Sequence, residues 1–187
     1  DGSSAASDVY KRQAFYFAAE TDNASLGQGR ELWKSDGTEA GTVQVADINN
    51  GGFDSDPEKF TIVGDTLYFS AKTGSHGREL WKTDGTEAGT VMVKDIKSGQ
   101  GNGHPMHMTA VGDTLYFVAR DDPQTAYGTQ DLWKSDGTEA GTVKVKVTCP
   151  VSSSCPFGSQ PDQFIAFGNT LFLSLIHISE PTRPVTI

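Results

Sequence analysis

The chain has 187 residues, enough for one or two domains, and its 36% hydrophobic content with 21 glycines is that of a turn-rich globular protein. Fifteen basic against 24 acidic residues leave a net charge of -9, which repels nucleic-acid backbones and anionic membrane surfaces, and no apolar run is long enough to insert into a bilayer. Two cysteines are too few for a disulfide-built scaffold, so stability must come from burial.

Residues 1–13 come first, and within them SSAASDVYKRQ (Ser3 to Gln13) is what one frame of a transposase-type sequencing adaptor encodes, its final part being GAT GTG TAT AAG AGA CAG. This stretch is read as a non-native tail and set apart from the fold. From residue 14 to residue 172 an internal repeat governs the chain. FYF at 15–17 opens inside the first unit. GRELWKSDGTEAGTVQVADI (29–48) and GRELWKTDGTEAGTVMVKDI (77–96) agree at 17 of 20 positions, and TQDLWKSDGTEAGTVKVKVT (129–148) agrees with the first at 13 of 20. Between them recur TIVGDTLYF (61–69) and TAVGDTLYF (109–117), and IAFGNTLF begins again at Ile165.

Each unit predicts four short strands. An apolar stretch such as Phe60, Ile62 and Val63 ends at a Gly-Asp or Gly-Asn pair, the common hairpin signal in reversed order. TLYF follows, three apolar residues in a row, as expected of a strand buried on both faces. ELWK is the third strand and TVxV the fourth, with Val91 and Val93 alternating against polar neighbours. Counting along the chain gives three strands in the first unit, four in each of the next two and two at the end. Trp33 to Phe69 and Trp81 to Phe117 are both 36 residues, whereas Phe17 to Trp33, Phe69 to Trp81 and Phe117 to Trp133 are 16, 12 and 16. The variable length therefore sits in one loop, between the second and third strands. A four-stranded unit recurring every 48 to 52 residues predicts the blade of a β-propeller, here an unclosed arc of about three blades centred on Trp33, Trp81 and Trp133. A β-solenoid is the alternative, but its coils are usually shorter.

The repeated polar residues read as structural. Asp36-Gly37-Thr38, Asp84-Gly85-Thr86 and Asp136-Gly137-Thr138 supply a side-chain acceptor, a residue suited to positive φ and a hydroxyl for a tight turn between the third and fourth strands. A catalytic acid or metal ligand is the competing role, yet an enzyme needs one site and these residues recur in every unit. Trp33, Trp81 and Trp133 could stack on sugars; filling the space between sheets is the simpler role for a ring at the same place in every unit. Arg30 with Glu31 and Arg78 with Glu79 suggest exposed charge pairs on one face, worth little energetically.

Other features do not repeat. Asp47, Asn49, Asp54 and Asp56 in DINNGGFDSDPEKF offer oxygen donors of the kind calcium accepts and are a candidate metal site, but their spacing is not that of an EF-hand, which favours a solvated acidic loop. The matching segment carries His104 and His107 in HPMH, with no third metal ligand in view. Asp121, Asp122 and Tyr127 lie in the variable loop of the third unit. Cys149 and Cys155, in a Ser- and Pro-rich insertion, form a candidate disulfide suited to an oxidising compartment, free thiols being the alternative. At the C-terminal end LSLIHISEPTRP (Leu173 to Pro184) reads as the reverse complement of the same transposon end running into the opposite adaptor, so residues 173–187 are taken as a second non-native tail. A genuine amphipathic strand, with Leu173, Leu175 and Ile178 apolar, is the competing reading.

ELWKSDGT, ELWKTDGT and DLWKSDGT resemble the signature of the ELWxxDGT repeat proteins, also called hyalin-like repeats, over essentially all of residues 14–172. The resemblance implies a large bacterial secreted or cell-surface repeat protein with no established catalytic activity. The third copy departs from it in having Asp131 for Glu and in lacking the Gly-Arg pair seen at Gly29-Arg30 and Gly77-Arg78. The expectation is thus a noncatalytic propeller segment serving as an adhesion or binding scaffold, outside the cell, with further repeats of the same chain, a carbohydrate or a protein as partners and no obligatory cofactor. The alternatives are a propeller-type polysaccharide hydrolase, whose site would use nonrepeated residues such as Asp121, Asp122 and Tyr127, and a spacer between other domains.

Overall fold

The computed structural model describes residues 14–20, 29–121, 130–145, 161–168, 170–175 and 184–185. Among these every regular element is a strand. β1 (Phe15–Ala19), β2 (Glu31–Ser35) and β3 (Val43–Ala46) form the first sheet. β4 (Glu58–Val63), β5 (Thr66–Thr73), β6 (Gly77–Thr83) and β7 (Val91–Lys94) form the second, in chain order. β8 (Met106–Val111), β9 (Thr114–Ala119), β10 (Asp131–Ser135) and β11 (Val143–Lys144) repeat that order in the third, and β12 (Pro161–Phe167), β13 (Thr170–Leu175) and β14 (Pro184–Val185) make the fourth. All pairings are antiparallel. The hub is formed by the first strand of each unit, since β4 packs beside β8 and β8 beside β12, while later strands step outward. This is a partial, unclosed β-propeller.

The blade register is conserved. Phe17 stands opposite Trp33, Phe69 opposite Trp81 and Phe117 opposite Trp133, so the four extra residues in two of the connecting loops leave the sheets superimposable. In the β4–β5 hairpin, Val63 pairs with Thr66 across a two-residue loop, and Gly64 takes φ of 59° while Asp65 stays out of the left-handed region. Gly112 does the same at 56°. Positive φ at the first central residue alone is the type II′ pattern, so Gly-Asp is the order this turn requires rather than a weakened Asp-Gly.

The core lies between blades. TLYF is buried on both faces because each face meets a different neighbour: Leu67 and Phe69 pack on Leu32, Val45 and Ile48 of the first blade, while Tyr68 packs with Leu115, Phe117 and Trp133 of the third. Tyr116 and Leu132 then meet Leu171 of the fourth. The second and third blades are thus layers whose two surfaces are both interior, as repeat architectures require.

Two expectations change here. The Asp-Gly pairs hold a side-chain-closed turn, Asp36 Oδ1 accepting from Thr38 N with Gly37 at φ of 90°, but it lies inside a connection longer than a tight hairpin, β2 ending at Ser35 and β3 beginning at Val43, with the same layout after β6. The last sheet has three strands rather than two, because Pro184 and Val185 pair with Phe172 and Leu171. Leu173 to Leu175 continue β13 as well. An open sheet edge accepts almost any extended segment, which accounts for such pairing whatever its origin. Residues 1–13, Asp122, Tyr127, Cys149 and Cys155 lie outside the described residues.

Candidate functional site

Within each Ser/Thr-Asp-Gly-Thr loop one carboxylate organises the chain. Asp84 Oδ1 accepts from Thr86 N at 2.9 Å and from Thr86 Oγ1 at 2.7 Å; Thr86 Oγ1 in turn accepts from Gly89 N at 3.0 Å. A second relay closes the loop base: Gly85 N donates to Thr83 Oγ1 (2.9 Å), which meets Thr90 Oγ1 at 2.8 Å, and Thr90 Oγ1 donates to Thr86 O at 2.7 Å. Asp36 and Asp136 repeat every contact with Thr38 and Thr138. Gly37, Gly85 and Gly137 hold φ of 90°, 89° and 88°. Gly89 is required for a different reason, because a Cβ there would collide with the Asp84 carboxylate. The hydrogen bonds from threonine hold all three carboxyls below the usual carboxylate range, so they are anions at neutral pH. Replacing Asp84 by Ala is expected to lower the melting temperature, with similar losses at Asp36 and Asp136 and no change on adding chelator. Thermal melts of the three variants check this; chelator sensitivity of the unmodified chain alone would point to a bound ion instead.

These loops also join the blades. Lys34 Nζ donates to Gly85 O at 2.8 Å, and Lys82 Nζ donates to Gly137 O at 2.8 Å, each lysine of ELWK reaching the loop of the following blade. Tyr16 and Tyr68 place their hydroxyls against the same two glycines, leaving no room for a side chain. The tryptophans pack in these joints too: Trp133 is 6% exposed and lies in the cluster with Leu80 and Phe117, and Trp81 packs against the cluster holding Leu32 and Phe69. Among the described residues the indole Nε1 of Trp33, Trp81 and Trp133 finds no protein acceptor.

Glu31 and Glu79 require a correction. They are not exposed charge pairs; both are 0% exposed. Glu31 Oε2 accepts from Ile48 N (2.9 Å) and Ser55 Oγ (2.6 Å), and Oε1 accepts from Ser55 N (3.1 Å). Glu79 Oε2 accepts from Ile96 N (2.9 Å), and Oε1 from Gly103 N (2.8 Å) and Lys97 N (3.4 Å). Each carboxylate therefore staples the connection that leaves its blade. Burial pushes Glu79 up to about 8 and raises Glu31 too, with the backbone donors pulling the other way. In the third blade Asp131 takes Lys144 Nζ at 2.7 Å, which Asp121 also binds at 2.8 Å. Burial opposes the charge on Lys144, but the hydrogen bonds to Asp121 and Asp131 outweigh it and raise its pKa.

Of the proposed calcium ligands, Asn49 Nδ2 donates to Asp54 O at 3.0 Å, but the carboxylates do not converge on one point. Asp54 Oδ1 accepts from Arg30 N (2.8 Å), and Asn49 Oδ1 accepts from Gly74 N (3.0 Å). Asp56 is held by Lys72, with Arg30 and Arg78 nearby, and the Lys72 hydrogen bond first among these lowers its pKa. Asp47 stands apart from this network, its Oδ1 buried with no partner among the described residues. Among the described residues no three His, Cys, Asp or Glu side chains gather as a metal site would need. His104 is equivalent to Asp56, and burial first, then Arg120 and Arg78, lowers its pKa.

The hub side of the blades offers a cleft that sequence reasoning missed. It measures about 370 Å³ and is lined by Lys59, Phe60 and Thr61 of β4 and by Met106, His107 and Met108 of β8. The β4–β5 register slips between Glu58 and Thr61, and the β8–β9 register slips between Met106 and Thr109. These matching bulges put Lys59 (φ 61°) and His107 (φ 53°) in the left-handed region. The hint in the sequence was the pairing of Pro-Glu-Lys-Phe with Pro-Met-His-Met, constant in frame but changed in chemistry.

No protein-family model matches the chain, and no curated protein matches it. Among solved structures the chain is similar to a protein described as a novel α-L-arabinofuranosidase from Clostridium thermocellum, with 15% identity and a TM-score of 0.37 over 88% of this chain and 57% of that one. The chain thus spans little more than half of that protein's length. The propeller architecture itself is read from sheet order, register and inter-blade packing.

Proposed function

We propose that the chain is a noncatalytic propeller segment of a secreted or cell-surface bacterial repeat protein of the ELWxxDGT type, working as a binding scaffold. One observation carries this reading: the acids that the motif repeats are consumed by the fold. Asp36, Asp84 and Asp136 tie loops, and Glu31 and Glu79 staple connections, so none is free to serve as general acid or nucleophile. What varies between units lies in loops and on the hub strands, where a rigid scaffold displays binding residues. Further repeats of the same chain are natural partners, since Lys34 and Lys82 each engage the blade that follows. Incubating the chain with a panel of polysaccharides is expected to give retention without release of new reducing ends. Release abolished by replacing one nonrepeated acid, such as Asp121, would establish a hydrolase instead. An extracellular setting also predicts that Cys149 and Cys155 are joined, which mass measurement before and after reduction checks.

A further inference from the structure

We propose that the cleft between the hub strands β4 and β8 binds an acidic saccharide, its carboxylate against Lys59 and His107 and its ring against Phe60 and Met108. The inference deepens the scaffold reading above by naming a ligand class. It begins from backbone strain. Non-glycine residues in the left-handed region are uncommon and cost on the order of 1–3 kcal/mol, and they persist where the surrounding structure holds them for a purpose. Here the same distortion occurs at the same place in two adjacent blades, on bulges of the kind that re-aim side chains. Both re-aimed side chains line one cleft.

The chemistry of that cleft selects the ligand. Lys59 is its one charged residue, and among the described residues it has no ion-pair partner; its neighbour Glu58 is taken by Arg78 at 3.4 Å. Among the described side chains no carboxylate lines the cleft. In a chain of net charge -9 this is a local reversal of sign, suited to a single negative charge. A phosphate dianion would call for arginine or a nest of backbone donors, and the lining has neither. Phe60 is 37% exposed and, with Met106 and Met108, supplies apolar surface for the CH face of a ring. His107 is braced from the far side by Phe164 of β12, the ring centroids 6.1 Å apart. The Thr61 hydroxyl, 3.4 Å from Met108 O, adds a polar group for ring hydroxyls. The volume lies within the range that small-molecule sites occupy. Together these describe a monoanionic, hydroxylated ring, which is a uronic acid.

Titrating the full chain with a galacturonate trimer, followed by amide chemical shifts, is expected to give saturable changes at Lys59, His107 and Phe60 that weaken as salt rises. Lys59→Asn, which removes the charge while tolerating the left-handed backbone, should weaken binding about tenfold, and Lys59→Arg should retain it. Lys97→Gln, outside the cleft, should leave it unchanged. The methyl-esterified trimer and benzoate, lacking the charge and the sugar ring respectively, should not bind. Absence of galacturonate binding, equal binding of either control ligand, or undiminished binding by Lys59→Asn overturns the proposal. If a neutral glycan instead perturbs other residues and leaves Lys59 and His107 unmoved, this site is lost while the scaffold reading stands.

Discussion

Replacing Glu79 by Ala is expected to destabilise the protein by about 3–5 kcal/mol, because three backbone N–H groups lose their acceptor inside the fold at about 1–3 kcal/mol each, water refilling the space setting the lower end. Those donors, on Ile96, Lys97 and Gly103, all belong to the connection between the second and third blades, so the loss should fall on that joint. Glu79→Gln keeps the shape but turns one oxygen into a donor facing another donor, and should cost less. The two variants also separate packing from charge. Burial holds the Glu79 carboxyl up to about 8, against a value near 4.5 when exposed. The folded state therefore prefers the proton. Its contribution is fully present below about pH 4.5 and fades as pH rises to about 8, so stability falls across that window. Urea denaturation over this range should show a steeper decline for the unmodified chain than for Glu79→Gln. Equal slopes would mean that the three N–H donors hold the carboxylate ionised throughout.

Strand identity and order were legible because they depend on neighbours in sequence. TLYF announces a strand with two buried faces, and Phe117 to Trp133 fixes the same cross-strand pair as Phe69 to Trp81 despite a longer loop. Burial of charge was not legible. Glu31 looks like a solvated partner of Arg30, yet its donors come from positions 17 and 24 residues further on, where no local pattern points back to it. The ion pairs of the acidic segment were not legible for a related reason: Asp56 is answered by Lys72 and Arg78, bases contributed by strands that fold back on it. The bulges at Lys59 and His107 leave only a faint trace, since a left-handed lysine has no composition signature. Glycine is the residue that advertises positive φ, and neither position has one.

Because the core lies between blades, equivalent residues should differ in cost according to whether a described neighbour covers them. Phe117 is fully buried, stacks on Trp133 with centroids 6.4 Å apart, and packs with Val63, Leu80 and Val93 of the preceding blade. Phe117→Ala should cost about 3–5 kcal/mol through lost transfer energy and the cavity left behind. Phe69, buried to the same degree against the first blade, should behave alike. Phe17 holds the same register opposite Trp33 but is only half-buried, because its face is the leading surface of the first blade. Phe17→Ala should therefore cost about 1–2 kcal/mol, the transfer term of a partly exposed ring. Urea denaturation of the three variants at constant m-value measures the differences directly. Equal losses at Phe17 and Phe117 would place the stabilising contacts within each sheet, and the inter-blade core would have to be abandoned.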